Sequence, residues 1–292
     1  MSNARALRRV FDEQKTVVVP GAYDAFSALL AQNAGFPVVY LGGFSISASA
    51  TGQPDWGIAT MNDMLNVATN AVNVVDIPAI CDIDQGFGAL TNFVRTIHNY
   101  EKAGAAAVHF EDQPFPKKCS QLGNRTVIPL HDAVARVRAA VETRTDPDFM
   151  LIARTDSKGT EGLDGLKRRM EAYLNAGADY CIFCEQTSIE ELVEVGRAFP
   201  GRVIAFVGDV PDNEACCLPA SSYEEMGYKA LFYCALGLCS AHHKVRESYE
   251  FLRETGHLSS NYLQANATSL RAVQEICGIS KWQALRDKYH ML

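Results

Sequence analysis

Eight short apolar runs recur along this chain, most of them followed by a stretch with helical patterning. That alternation limits the fold more than any other feature. The runs are VVVP (17–20), PVVYLGG (37–43), PAICDID (78–84), AAVHFED (106–112), FMLIART (149–155), DYCIFCE (179–185), RVIAFVGD (202–209) and KALFYCAL (229–236). Each is too short for a helix and rich in β-branched or aromatic residues, the pattern of a strand buried on both faces. Between them lie amphipathic stretches such as MNDMLNVATNAVNVV, NFVRTIHNYEKAG and GLKRRMEAYLNAGAD. Two of these end in Ala-Gly before a small or apolar residue, the glycine stop of a helix that feeds a strand. Alternating strands and helices imply an all-parallel sheet, and eight strands suffice to close a barrel. The expected fold is therefore a (β/α)8 TIM barrel rather than an open doubly wound sheet. Such a barrel uses about 250 residues, and the chain has 292. The division expected is a barrel over 1–255 and a C-terminal helical extension over 256–292, capping the barrel or packing on a neighbouring subunit.

Composition removes several classes of function. Net charge is −7 with no basic stripe, so nucleic acid is not an expected partner. No run approaches the ~18–20 apolar residues of a membrane span. The start, MSNARALRRVFDEQK, lacks the apolar segment of a secretory signal. Nine cysteines are an odd number and sparsely spread, which points to reduced thiols and a cytoplasmic setting rather than a disulfide framework.

Barrel enzymes carry their chemistry at the carboxyl ends of the strands, and the runs finish there in polar or glycine residues. The second ends in Tyr40, Gly42 and Gly43, the third in Asp82 and Asp84, the fourth in Glu111 and Asp112. The fifth ends in Arg154, Thr155 and Asp156, and the sixth in Glu185. Asp82 and Asp84 are two apart, so on a strand they share one face, and Glu111 arrives from the adjacent run. Three converging carboxylates repel one another without a cation, and hard oxygen ligands suit Mg²⁺ or Mn²⁺. Gly42-Gly43 can offer amides to an anion or form a plain tight turn. Arg154 can bind a substrate carboxylate or pair internally with Asp156 or Glu185. Cys181 and Cys184 lie within a strand and point to opposite faces, so they are not a metal pair. His242 and His243 read as helix surface. Cys119 stands on a proline-bounded loop beside Lys117 and Lys118, which favour a thiolate. The residues alone leave it between a catalyst and a structural thiol.

The order PGAYDAFSALLAQNAGFPVVYLGG, SISASATGQPD, DIDQGFG, HFEDQPFPKKC, ARTDS and AGADYCIFCE resembles the isocitrate lyase/phosphoenolpyruvate mutase superfamily over about residues 15–200. Its short-chain lyases are the most similar: the methylisocitrate lyase, dimethylmalate lyase and oxaloacetate hydrolase types. The resemblance implies a (β/α)8 barrel, Mg²⁺, and a homotetramer in which a C-terminal helix is exchanged between subunits. It implies that Asp82 and Asp84 are metal-site aspartates and that Glu111 is a water-mediated ligand. Tyr40, Gly42, Gly43, Asp55, Arg154 and Glu185 correspond to substrate-pocket residues, and Cys119 to the general acid of a gating loop.

The departures are informative. Ser120 and Gln121 stand where the lyases carry Gly-His, Phe206 where they carry Asn, and Cys239 falls near the position of an Arg. Losing one charged hydrogen bond to a buried substrate carboxylate costs about 2–5 kcal/mol, so losing three disfavours a tricarboxylate. The expected function is a Mg²⁺-dependent C–C lyase or hydrolase acting on a small 2-hydroxy or 2-oxo dicarboxylic acid, substituted malate or oxaloacetate-like. The alternatives are a phosphonomutase or phosphonopyruvate hydrolase, or a diverged member that binds without turnover.

Overall fold

The computed structural model describes residues 2–119, 123–184, 187–208 and 214–290. Among them, eight parallel strands close on themselves in sequence order. They are β1 (Val17–Ala22), β2 (Val39–Leu41), β3 (Ala79–Asp82), β4 (Ala107–Glu111), β5 (Met150–Thr155), β6 (Tyr180–Phe183), β7 (Val203–Phe206) and β8 (Tyr228–Tyr233). Each falls on one of the eight apolar runs. Closure is made by β8 beside β1, with Val17 opposite Ala230 and Pro20 opposite Tyr233, so the sheet has no open edge.

Strand side chains alternate in direction, which explains why the runs are apolar throughout. One set, including Val19, Tyr40, Ile80, Ile152, Ile204 and Phe232, clusters inside the barrel. The other, including Leu41, Cys81, Val108, Leu151 and Leu231, packs against the outer helices. Helix α1 (Asn3–Glu13) precedes the barrel. Its Leu7 and Phe11 join the inner cluster, and Phe11 lies 5.1 Å from the ring of Tyr180 at the start of β6. The amino end of the barrel is thereby plugged, and the carboxyl end is left for the site.

Helix α2 (Ala25–Asn33) lies between β1 and β2, and after β2 the short α3 (Gly43–Ile46) runs on into a π-helical turn at Ser47–Thr51. The outer ring then continues with α4 (Met61–Val74), α5 (Leu90–Lys102), α6 (Leu130–Thr143), α7 (Lys158–Asn175), α8 (Ile189–Ala198) and α9 (Ala220–Met226). Reciprocal caps start two of these helices, Thr60 with Asp63 and Ser188 with Glu191. The two Ala-Gly stops occur as expected, with Gly104 at φ 91° and Gly177 at φ 106°.

The chain packs as two compact units, Met1–Gly237 and Leu238–Leu292. The second holds most of α10 (Leu236–Thr255), with α11 (Ser260–Asn266), α12 (Leu270–Ile276) and α13 (Ile279–Lys288). It is helical, as its sequence pattern implies. The sequence pattern sets its boundary at 255/256, and the compact units divide at Gly237/Leu238, inside α10. His242 and His243 lie exposed on α10. No helix among the described residues is long and apolar enough to cross a membrane.

Candidate active site at the carboxyl end of the barrel

The alternation that builds the apolar interior also delivers the polar groups. Ile80 lies in the inner cluster, and Asp82, two residues on, faces the same way. By the same parity Ala107 leads to His109 and Glu111, and Ile152 leads to Arg154. Register sets Asp82 opposite His109 and Glu111 opposite Arg154. Asp55, Asp82, Asp84, Glu111, Lys117 and Arg154 are each at most 8% exposed. Buried charges on this scale require pairing.

Asp84 corrects one expectation. β3 ends at Asp82, and Asp84 sits in a turn at φ 49°, so the two aspartates do not share a strand face. They converge nonetheless. A Cβ on Gly43 would lie 3.0 Å from Asp82 Oδ2 and 2.9 Å from Asp84 Oδ1. Glycine is needed here because both carboxylates crowd its α-carbon. The Gly43 amide donates to Asp82 Oδ2 at 3.0 Å, so it supports the aspartate and is not left open for an anion.

Asp82 also accepts from Tyr40 Oη and from the Asp84 amide, both at 3.0 Å. His109 Nδ1 lies 3.4 Å from Asp82 Oδ1 and 3.1 Å from Tyr40 Oη. Burial tends to raise the Asp82 carboxyl, but His109, Lys117 and Arg154 hold it well below the usual carboxylate range. Burial and Asp82 push the Tyr40 phenol well above its ordinary value, so it stays protonated. Lys117 Nζ pairs with Asp55 and lies 2.7 Å from Asp84 Oδ1. Despite its burial, Asp84 and Asp55 hold it as an ammonium. Burial, with Asp82 and Asp55 nearby, pushes Asp84 up to about 7. Burial likewise raises Glu111, against the pull of Arg154.

Arg154 is paired internally, as one of its two sequence readings has it, with Asp156 and also with Glu111. Its Nη1 lies 3.1 Å from Glu111 Oε2, and its Nε donates to Asp156 Oδ1 at 2.9 Å. The guanidinium carbon stands 5.8 Å from the centre of the Phe206 ring. Cys119 is half-buried, and its amide donates to the carbonyl of Asp55 at 3.2 Å. Ser120, Gln121 and Glu185 lie outside the described residues.

The donor set fits a small hard cation that keeps part of its water. Lys117 Nζ and Arg154 Nη1 are ion-paired with Asp84 Oδ1 and Glu111 Oε2, whereas Glu111 Oε1 is buried with neither a hydrogen bond nor an ion pair. A buried anionic oxygen in that state is what a divalent ion satisfies. Among the described residues, no three His, Cys, Asp or Glu side chains stand close enough to be direct ligands together. Mg²⁺ is commonly held through one or two carboxylates and several waters, which is compatible with both facts.

The family model for phosphoenolpyruvate phosphomutase matches residues 7–252. This chain belongs to the phosphoenolpyruvate mutase/isocitrate lyase superfamily. Superfamily members cleave C–C bonds of small acids. The 2,3-dimethylmalate lyase of Eubacterium barkeri is 38% identical over 233 residues, covering 80% of each chain. The structure of an oxaloacetate acetylhydrolase in complex with the inhibitor 3,3-difluorooxalacetate superimposes with a TM-score of 0.91 at 28% identity, over 100% of this chain and 98% of that one. A phosphonopyruvate hydrolase solved with oxalate and Mg²⁺ gives 0.87 at 28% identity, over 99% of both.

Sequence reasoning passed over several residues of this cluster. His109 sits mid-strand in an apolar run, outside the strand-end positions. Asp156 is named at its strand end and as a partner for Arg154, without its links to Gln113 and Arg125. Lys117 was matched to the thiol, while its ion pairs are with Asp55 and Asp84. A signal existed for one of these: His109 has the same parity as Glu111 and therefore points inward with it.

Proposed function

We propose that this protein is a Mg²⁺-dependent C–C lyase or hydrolase acting on a small 2-hydroxy or 2-oxo dicarboxylic acid. The observation that carries the reading is the buried convergence of Asp82, Asp84 and Glu111, with Glu111 Oε1 left unpartnered, set beside Arg154, with Cys119 anchored to Asp55 at its edge. Asp82, Asp84 and Glu111 would hold Mg²⁺, with Mn²⁺ a substitute. When bound, the ion would supply Lewis acidity to the oxygens of the acid. Arg154 would bind the substrate carboxylate and stabilise the charge that develops as the C–C bond breaks. Tyr40 would accept the proton of the 2-hydroxyl while its own proton passes to His109 Nδ1, 3.1 Å away. The electron pair of the breaking C–C bond moves onto the leaving enolate, and the Cys119 thiol protonates that carbon. Gly42, Asp55 and Glu185 complete the proposed pocket, with Ser120 and Gln121 near the thiol.

Phe206 supports a small or alkyl-bearing substrate. Its ring faces Arg154 and meets the edges of Tyr40 and His109 at 6.2 and 5.6 Å. This wall offers no partner to a further carboxylate. A homotetramer with exchanged C-terminal helices is part of the same proposal.

The test is a panel of alkylmalates, oxaloacetate and phosphonopyruvate, assayed with Mg²⁺ for pyruvate, oxalate and phosphate. Pyruvate or oxalate from the carbon acids is expected. Phosphate from phosphonopyruvate alone would move the protein to C–P chemistry. No turnover of any member, with no oxalate binding, would sink the enzyme reading.

A further inference from the structure

Asp156 is buried and takes no part in the steps proposed above, yet both of its oxygens are engaged by groups from three parts of the chain. Oδ1 accepts from Arg154 Nε at 2.9 Å and from Arg125 Nη1 at 2.5 Å. Oδ2 accepts from Gln113 Nε2 at 2.7 Å. Its amide donates to Asp112 Oδ1 at 2.9 Å. Burial acts to raise this carboxyl, but the guanidiniums of Arg154 and Arg125 outweigh it and keep it ionised.

Gln113 and Arg125 flank the segment that carries Cys119. Gln113 grips the backbone there on both sides of one residue: the Lys118 amide donates to its Oε1 at 2.9 Å, and its Nε2 donates to the Lys118 carbonyl at 3.0 Å. The residue directly before Cys119 is therefore clasped through both backbone groups. Arg125 ties the far stem to the end of β6, donating from Nη2 to the Cys184 carbonyl at 2.5 Å. Arg154 and Arg125 share one oxygen of Asp156. An anion that draws the Arg154 guanidinium away leaves that oxygen to Arg125 alone.

We propose that Asp156 is a positioning residue that sets Arg154 and both stems of the Cys119 segment from one carboxylate, so that an anion on Arg154 changes how firmly the thiol is held. The inference rests on the proposed function only in taking Arg154 and Cys119 as site groups.

The test reads alkylation of Cys119 by iodoacetamide, resolved from the other cysteines by peptide mass spectrometry, on the full chain without ligand. Gln113→Ala and Arg125→Gln should each speed it about tenfold, within the range of couplings between residues that share a network. In an Asp156→Asn background the same substitutions should change it less than about twofold, because the shared acceptor is altered. Full effects in both backgrounds, or no effect in the parent protein, overturn the proposal. General loosening would also expose the buried Cys81 and Cys181, and equal acceleration there overturns it too. Should Asp156→Asn fail to fold, oxalate serves as the probe. It should slow Cys119 alkylation in the parent and, though still bound by calorimetry, no longer do so in Arg125→Gln. Undiminished protection in that variant overturns the proposal. Failure of the functional reading looks different: the parent binds no oxalate and turns over no acid, while the ligand-free rates still decide the role of Asp156.

Discussion

At the scale of single residues, Asp82 and Cys119 make the most direct tests. Asp82 accepts from Tyr40, from the Gly43 amide and from the Asp84 amide. Asp82→Asn would turn an amide NH₂ toward one of these donors and remove a negative charge. Mg²⁺ affinity by calorimetry should fall at least about tenfold, with turnover falling alongside and circular dichroism unchanged. Retained Mg²⁺ affinity would remove Asp82 from the metal site. Cys119→Ser should cut turnover by about 100-fold or more, the usual contribution of a positioned acid, while the thermal midpoint stays put. Turnover that survives makes the thiol structural. Asp82, Glu111 and Arg154 were legible in the sequence because position at a strand end reveals direction and chemistry together. Lys117 was legible as a charge only. Its partners Asp55 and Asp84 come from distant segments, and local sequence does not show which acid a buried ammonium will meet.

At the scale of elements, the turn after β3 and the start of α3 must fit one another. The Gly43 α-carbon lies against both aspartates, so Gly43→Ala forces a Cβ into carboxylate oxygens at 2.9 and 3.0 Å. The expected outcome is a folded protein with Mg²⁺ binding and turnover reduced at least about tenfold, since outer-shell disturbance of a metal site has that effect. Unchanged Mg²⁺ affinity would show that the aspartates can give way. On the outer face of the barrel, Arg169 of α7 joins Glu161 with the Asp112 carboxylate and the Tyr173 hydroxyl. Hydrogen bonding from Arg169 holds the Glu161 carboxyl below its ordinary value. A depressed carboxyl stabilises the fold above its unfolded pKa of about 4.3, and that contribution is lost as pH falls through the folded value. The thermal midpoint should therefore drop as pH is lowered below this range, and Glu161→Gln should lower it at pH 7 and flatten the acid slope. An unchanged slope would mean that other carboxylates carry the acid response. The elements themselves were readable from periodicity. The early end of β3 was not, because an Asp in a left-handed turn looks the same in sequence as an Asp on a strand.

At the scale of the whole molecule, the second unit is the open question that assembly answers. Leu270, Trp282 and Tyr289 on or beside its helices are 86%, 62% and 61% exposed, and none of these helices buries a residue within the chain. Light scattering coupled to size exclusion should give a tetramer, and Trp282→Glu with Leu270→Glu should shift it to smaller species. A parent protein that runs as a monomer would overturn the exchanged-helix proposal. The sequence by itself determined eight strands buried on both faces, for which a closed barrel is the expected arrangement over an open sheet, and it determined which strand ends carry charge. Only the tertiary structure decided that Asp84 arrives by a turn, that Lys117 stands among the acids, and that Asp156 gathers Arg154, Arg125 and Gln113. The physical reason is that strand direction follows from a local period of two, whereas charge pairing is settled by contacts between segments tens of residues apart.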